Sequence, residues 1–284
     1  MTPDFLVPWE PYASWVGGLL GLLIGSFLNV VIYRLPRILE QQWQDEAASS
    51  AVESTAPRPV FNLSTPASHC PHCQHGLSVW ENIPVLSYLL LQGRCRACDA
   101  RIGWRYPAIE LVTALAVAAC FHRWGLSLQA CAWSGLVCTL LALAVIDWDT
   151  TLLPDPLTQP LIWAGLIVAA LNVSGMSLTQ ALWGAVAGYV SLWSVYWIFK
   201  LITGKEGMGY GDFKLFAALG AWFGWAALIP MILLASLAGI AVGLVLQSRQ
   251  QLRENHYIPF GPFLAGAAGV YMVWGDFFIN FRWL

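Results

Sequence analysis

The sequence predicts an all-α polytopic membrane protein of about eight transmembrane helices, with a small cysteine-rich cytoplasmic module between helices 1 and 2. The chain is 58% hydrophobic and only 11% charged, whereas soluble domains carry roughly 25% charged residues. Long charge-free runs recur along it, and only one long hydrophilic segment, residues 34–105, interrupts them. Composition therefore excludes an ordinary soluble enzyme, and nothing in it suggests nucleic-acid binding.

The apolar runs divide into spans by length, because a helix that crosses a bilayer needs about 20 apolar residues. Two runs are too long for one helix, and they are expected to break at residues 172–175 and near residues 224–230. The predicted spans are residues 11–33, 106–122, 124–146, two within 156–199, two within 215–248, and 257–278.

Lysine and arginine placement predicts the orientation, because these residues are enriched in cytoplasmic loops. With eight spans and an external N-terminus, only Arg123 and Arg282 of the 14 basic residues lie outside. Three regions follow: an N-terminal transmembrane helix (1–33), a cytoplasmic loop (34–105) and a membrane-embedded domain (106–284). Within the loop, residues 40–66 are rich in Ala, Ser, Gln and acids, so we expect a flexible insert there.

Two Cys-x-x-Cys pairs lie in the cytoplasmic loop, at Cys70 and Cys73 and at Cys95 and Cys98. Four thiolates on two such turns form the closed tetrahedral site that structural zinc prefers. The alternative is two disulfides or unrelated thiols, which the reducing cytoplasmic face disfavours. We therefore predict one structural zinc ion in a zinc-ribbon-like module. The other cysteines, Cys120, Cys131 and Cys138, lie in apolar runs and are expected to be packing residues.

Two aspartates lie at the ends of apolar runs predicted to meet the cytoplasmic face. Asp147 ends one run, and Asp212 follows Gly207, Gly209 and Gly211 at the start of another. An ionised carboxylate is costly to desolvate at a membrane boundary unless it has a role. Two such carboxylates could share a proton as an acid/base pair. The alternatives are boundary residues without a role, or an ion or proton site of a transporter or channel.

Other polar residues in apolar sequence need hydrogen-bond partners. Ser26 and Asn29 could bond to a neighbouring helix or to a ligand. Glu110 could pair with Arg105 or take part in a site. Asp149 and Asp155 are expected to be loop or capping residues.

These motifs together resemble the type IV prepilin peptidases, which are aspartyl proteases of the GxGD type, and the resemblance spans nearly the whole chain. The segments that carry it are residues 25–36, the paired Cys-x-x-Cys module, Glu81-Asn82-Ile83-Pro84, Arg105-Tyr106-Pro107 with Glu110, residues 147–155, residues 207–212, and Ile258-Pro259-Phe260-Gly261-Pro262-Phe263. A Tyr-Asp pair and a Pro-Ala-Leu motif, typical of presenilin-like enzymes, are absent from the sequence.

The resemblance implies a bifunctional enzyme of the bacterial inner membrane, with a periplasmic N-terminus and a cytoplasmic active site. Asp147 and Asp212 take the catalytic positions, and Gly207, Gly209 and Gly211 form the active-site loop. The implied substrates are type IV prepilins and type II secretion pseudopilins, whose short basic leader is removed. The new N-terminal residue is then methylated with S-adenosylmethionine. The resemblance places methyl transfer in the first cytoplasmic loop, where the candidate cofactor residues are Glu81, Asn82, Gly93 and Arg94.

Overall fold

The computed structural model describes residues 10–49, 61–249 and 258–280, and their regular structure is helical apart from two isolated β-bridges. A short 3₁₀ helix covers Val79–Asn82. The α-helices are α1 (Ala13–Ser49), α2 (Leu86–Leu90), α3 (Arg105–Trp124), α4 (Leu128–Thr150), α5 (Asp155–Ala170), α6 (Leu178–Thr203), α7 (Tyr210–Phe223), α8 (Trp225–Ser248) and α9 (Gly261–Asn280).

The described helices identify a membrane protein. Four segments among them, Glu10–Ala47, Leu128–Thr150, Leu178–Thr203 and Trp225–Ser248, are long and apolar enough to cross a bilayer. Many large apolar side chains on these helices are exposed, including Trp15, Leu201 and Leu237. Such exposure is expected of surfaces that face lipid.

Both breaks predicted within the long apolar runs are confirmed. Residues 171–177 separate α5 from α6, and Gly224, with φ +78°, separates α7 from α8. The predicted bounds of the third span need correction, because α4 begins at Leu128, where Ser127 Oγ accepts the Ala130 N–H, and continues to Thr150. Asp149 is therefore a helical residue, not a loop or cap.

The predicted flexible insert also needs correction at its start. Helix α1 continues without a break through Pro36 to Ser49. Residues 40–49 are helical because the sequence there is dominated by Glu, Gln and Ala, which favour helices. Residues 50–60 lie outside the described part of the chain, and residues 61–66 form a loop on which Arg34 of α1 donates to the Asn62 and Leu63 carbonyls.

The chain forms two compact units, residues 1–138 and 139–284. In the first unit α3 packs along α1, although the sequence analysis grouped α3 with the C-terminal half. Glycines 17, 21 and 25 of α1 make this contact: a Cβ on Gly21 would lie 2.6 Å from Ala114 Cα, and one on Gly25 would lie 2.7 Å from Glu110 Cα. Small residues at this spacing let two membrane helices approach closely.

In the second unit, glycines likewise allow α6 to pack closely against α7. A Cβ on Gly184 or on Gly220 would overlap the backbone carbonyl of the other residue. One turn along, a Cβ on Gly188 would lie 2.5 Å from the Phe216 carbonyl oxygen. The position of α7, which carries Asp212, is thus fixed by contact between backbones.

The variant Gly220→Ala is expected to lower the thermal unfolding midpoint, because α6 and α7 must separate to accept one methyl group. Overpacking of this kind destabilises by about 1–3 kcal/mol. Gly269→Ala is the control, since a Cβ there meets nothing within 4 Å. Thermal unfolding of the detergent-solubilised protein checks the prediction, and equal midpoints for the two variants would contradict it.

Candidate active site

Asp147 lies in the last turn of α4 and is 4% exposed. Its Oδ2 accepts a 2.9 Å hydrogen bond from the backbone N–H of Gly261, the first residue of α9. Pro262 has no N–H, and the N–H groups of Phe263 and Leu264 donate to the Phe260 carbonyl. Gly261 therefore supplies the free N–H of this helix start to the carboxylate.

Asp212 lies in the first turn of α7 and is 3% exposed. It precedes the apolar run that begins at Leu215. Its Oδ1 is buried and accepts no hydrogen bond from any residue that the structure describes. Burial, with a further contribution from the negative charge of Asp147, raises the pKa of Asp212 to about 7. The Gly209 backbone opposes this shift only in part.

Leu153, in the turn after α4, lies close to glycines that neighbour both aspartates. A Cβ on Gly211 would lie 2.6 Å from Leu153 Cβ. A Cβ on Gly261 would lie 2.7 Å from Asp147 Oδ2 and 3.1 Å from Leu153 Cδ2. The glycines before Asp212 and at the start of α9 thus leave the space that Leu153 and the Asp147 carboxylate fill.

An ion pair fixes α5 against α7 beside the site. Lys214 Nζ lies 2.6 Å from Asp155 Oδ1 and 2.7 Å from Oδ2. Asp155 is the first residue of α5, following Pro154 at the N-cap position. Asp155 is therefore a helical residue whose carboxylate pairs with Lys214, and not the loop or capping residue expected from the sequence.

The loop between α6 and α7 folds back on the end of α6. Glu206 accepts a 2.8 Å bond from Lys200 Nζ, which also donates to the Tyr196 hydroxyl. A Cβ on Gly207 would lie 2.8 Å from the Phe199 ring, so the ring fills the space that a side chain would take. The Tyr210 ring contacts the Tyr196 ring in a tilted arrangement, with centroids 5.2 Å apart and an interplanar angle of 53°. These contacts define the path of residues 204–210 ahead of Asp212.

The arrangement provides two buried carboxylates with unequal surroundings in one site. Burial and the charge of Asp147 disfavour ionisation of Asp212 near neutral pH, so the pair can hold one proton between its two carboxyl groups. Such a pair can remove a proton from a water molecule and donate one to a leaving group. The geometry is therefore suited to hydrolysis.

The cysteine module consists of two matching turns. An isolated antiparallel bridge closes each turn, His69 to Gly76 around the first cysteine pair and Arg94 to Arg101 around the second. All four Sγ atoms lie within 4.8 Å of one another, with Cys70 and Cys98 separated by 3.8 Å and Cys73 and Cys95 by 3.9 Å. The first loop thus brings the four predicted ligands together.

This cluster fits a zinc ion. Tetrahedral ligands at a Zn–S distance of about 2.3 Å are about 3.8 Å apart, which matches the separations in the cluster. Backbone N–H groups of Cys73 and His72 lower the pKa of Cys70 to about 6, which favours the thiolate that binds metal. His75 makes a 3.5 Å contact with Glu81 and is not a member of the cluster.

The four candidate residues for methyl transfer lie between the two cysteine turns. The side chain of Glu81 is 7% exposed, and its Oε2 accepts from the backbone N–H and the hydroxyl of Ser78. Gly93, with φ +67°, lies against the Tyr88 ring. Glu81 and Gly93 therefore support the framework of the module, while Asn82 and Arg94 are exposed.

Glu110 connects the membrane helices of the first unit to this module. Its Oε2 accepts a 2.7 Å bond from the Val85 N–H, and the Ser26 and Asn29 side chains also donate to it. Asn29 Nδ2 donates in addition to the Tyr106 carbonyl. Ser26 and Asn29 of α1 thus bond to the neighbouring helix α3, which was one of the two alternatives that the sequence left open. Val85 has φ 59°, a strained value for a β-branched residue.

Sequence reasoning assigned no role to Gly261 or to Leu153. Gly261 lies in a Pro-x-Gly-Pro run, and this pattern signals a rigid turn with a helix start. The pattern could have marked the turn, but only the fold brings it to Asp147. Leu153 carries no signal that separates it from other apolar residues.

Two protein-family models match separate parts of the chain. The model of the bacterial peptidase A24 N-terminal domain matches residues 19–124, and that of the type IV leader peptidase family matches residues 134–244. No solved structure gives a significant match.

Several curated proteins named prepilin leader peptidase/N-methyltransferase are similar over almost their full length. The protein from Stutzerimonas stutzeri is 50% identical over 97% of this chain and 96% of its own. The protein from Pseudomonas aeruginosa is 50% identical over 91% and 89%. The protein from Aeromonas hydrophila is 50% identical over 95% and 93%. The resemblance inferred from the motifs is confirmed, and the chain belongs to the type IV leader peptidase family.

Proposed function

We propose that this protein removes the short basic leader of type IV prepilins and type II secretion pseudopilins, and methylates the new N-terminal residue. The observation that carries the proteolytic half is the pair of buried carboxylates, Asp147 and Asp212, whose charges interact. Membership of the leader peptidase family supports the same activity. It does not favour the transporter or channel alternative.

In the proposed mechanism, the pair first acts on a water molecule. The ionised carboxylate removes a proton from water as its oxygen attacks the scissile carbonyl, and the protonated carboxyl donates a hydrogen bond to the carbonyl oxygen. A proton is then delivered to the leaving amine as the C–N bond breaks. Gly207, Gly209 and Gly211 allow the loop ahead of Asp212 to lie close to other backbone and to substrate.

For the methyl-transfer half, the names of the relatives support an N-methyltransferase, and a methyl donor is required. We assign S-adenosylmethionine as the donor and the first cytoplasmic loop as the region concerned. Asn82 and Arg94 are its exposed candidates, since Glu81 and Gly93 are engaged within the module. One structural zinc ion on Cys70, Cys73, Cys95 and Cys98 would hold this module together.

The proposed setting is the bacterial inner membrane, crossed about eight times, with the N-terminus in the periplasm. The four apolar helices and the distribution of Lys and Arg support it. The active site then faces the cytoplasm, where leaders are synthesised. The partners are the lipid bilayer and the pilin-type substrates.

The experiment that tests this function is cleavage of a purified prepilin by the protein in detergent, followed by mass spectrometry. We expect loss of the leader mass, and a further gain of one methyl group when S-adenosylmethionine is present. Leader loss without the methyl gain would limit the protein to proteolysis. An intact prepilin after incubation with well-folded protein would contradict the proposal.

A further inference from the structure

We infer that Gly261, through its backbone N–H at the start of α9, holds Asp147 as the ionised member of the pair and leaves the shared proton on Asp212. This inference rests on the proposed proteolytic function and adds a positioning residue to it. The family comparisons assign no role to Gly261.

The two carboxylates differ in the hydrogen bonds that they accept. Asp147 Oδ2 accepts the 2.9 Å bond from Gly261, at the positive end of a helix dipole. A backbone N–H stabilises a carboxylate more than a carboxylic acid. By contrast, Asp212 Oδ1 is buried and accepts no bond within the described residues. A buried oxygen without a protein donor is much less costly on a neutral carboxyl group.

The Asp147 carboxylate occupies the space beside Gly261 that a side chain would otherwise take. The Cβ position of Gly261 lies 2.7 Å from Asp147 Oδ2, so any other residue would displace the carboxylate from its donor. Pro259 and Pro262 flank this glycine and restrict the backbone on both sides. The bond is therefore held in place before substrate arrives.

Other charged and titratable groups lie on the helices around the two aspartates. Lys214, the basic residue nearest in sequence to Asp212, is paired with Asp155. Other titratable groups on the surrounding elements are Asp149 on α4, Tyr210 on α7 and Tyr271 on α9. Helix α6, which packs against α7, adds Tyr189, Tyr196 and Lys200, and Lys200 is paired with Glu206. The bond from Gly261 is thus a donor that Asp147 has and that Asp212 Oδ1 lacks.

The test is the variant Gly261→Ala, assayed for prepilin cleavage across pH. Loss of one bond to a carboxylate should lower kcat by about tenfold to a hundredfold and leave KM for the prepilin unchanged. A less stabilised carboxylate is protonated at higher pH, so the acidic limb of the kcat profile should move up by about one pH unit. Gly266→Ala on the same helix is the control, because a Cβ there meets nothing within 4 Å.

An acidic limb at the wild-type pH in Gly261→Ala would overturn the inference, even if kcat fell. That result would leave the proposed function intact, because the proposed function is tested separately, by prepilin cleavage with the wild-type protein and with Asp147→Asn.

A second measurement does not depend on the folding of the Gly261 variant. Because the pKa of Asp212 is raised on folding, the folded protein favours the protonated carboxyl group. The contribution of Asp212 to folding stability is therefore greatest at low pH and is lost as the pH rises through about 7. Asp212→Asn mimics the neutral carboxyl and should raise the thermal midpoint relative to wild type at pH 8 more than at pH 5. Asp147→Asn should not. The reverse pattern for the two variants would overturn the assignment of the proton.

Discussion

Replacing either Asp147 or Asp212 with asparagine is expected to lower kcat for leader cleavage by about a thousandfold to ten-thousandfold. This is the range over which a positioned acid or base contributes, and asparagine can neither accept the proton from water nor return it to the leaving amine. The Asp→Asn changes conserve side-chain volume, so KM and the gel-filtration profile should stay close to wild type. Mass spectrometry of a purified prepilin checks the prediction.

Asp149→Asn provides the matched control, because Asp149 lies two residues further along the same helix and is exposed. It should cleave at the wild-type rate. The double variant of Asp147 and Asp212 should be no slower than the worse single variant, because the two groups act as a unit. Cleavage that survives both single substitutions would exclude the carboxylate pair and revive the transporter alternative.

The second large effect is expected from the cysteine cluster. Cys70→Ser should remove the bound zinc, unfold the module around the two cysteine turns, and reduce methylation to background. Structural zinc sites of this kind contribute about 10–16 kcal/mol of binding free energy that is also folding free energy. The module has few buried apolar residues to replace that contribution, since Leu86, Leu89 and Leu90 of its helix α2 are all exposed. Metal analysis of the purified protein and a methylation assay check the prediction.

Leader cleavage should be less affected by this variant. Both aspartates, and every residue described around them, belong to the unit 139–284, whereas the four cysteines belong to the unit 1–138. Cys131→Ser is the control, because Cys131 lies on α4 and outside the cluster. An equal loss of cleavage and methylation in a stably inserted Cys70→Ser protein would contradict this separation.

The amino-acid sequence predicted the features that depend on local composition and spacing. Charge-free runs predicted the apolar helices, and glycine or turn residues predicted the breaks at 172–175 and near 224–230. The cysteine spacing predicted that four thiols would cluster, because each Cys-x-x-Cys turn presents two thiols on one side and a metal site needs two such turns. Helix ends were less accurate, because α1 and α4 both continue further than predicted. Residues that favour helices, Glu, Gln and Ala, follow the apolar run of α1.

What the sequence determined by itself is the kind of protein: a membrane protein with a cysteine cluster and two aspartates at the ends of apolar runs. Those properties follow from residue type and local spacing. Only the tertiary structure decided which groups meet. Asp147 and Gly261 are far apart in the chain, and no sequence pattern links them, yet the fold brings the start of α9 to the end of α4 and gives one aspartate a backbone donor. The carboxylates become unequal because burial and hydrogen bonding depend on neighbours that the fold supplies.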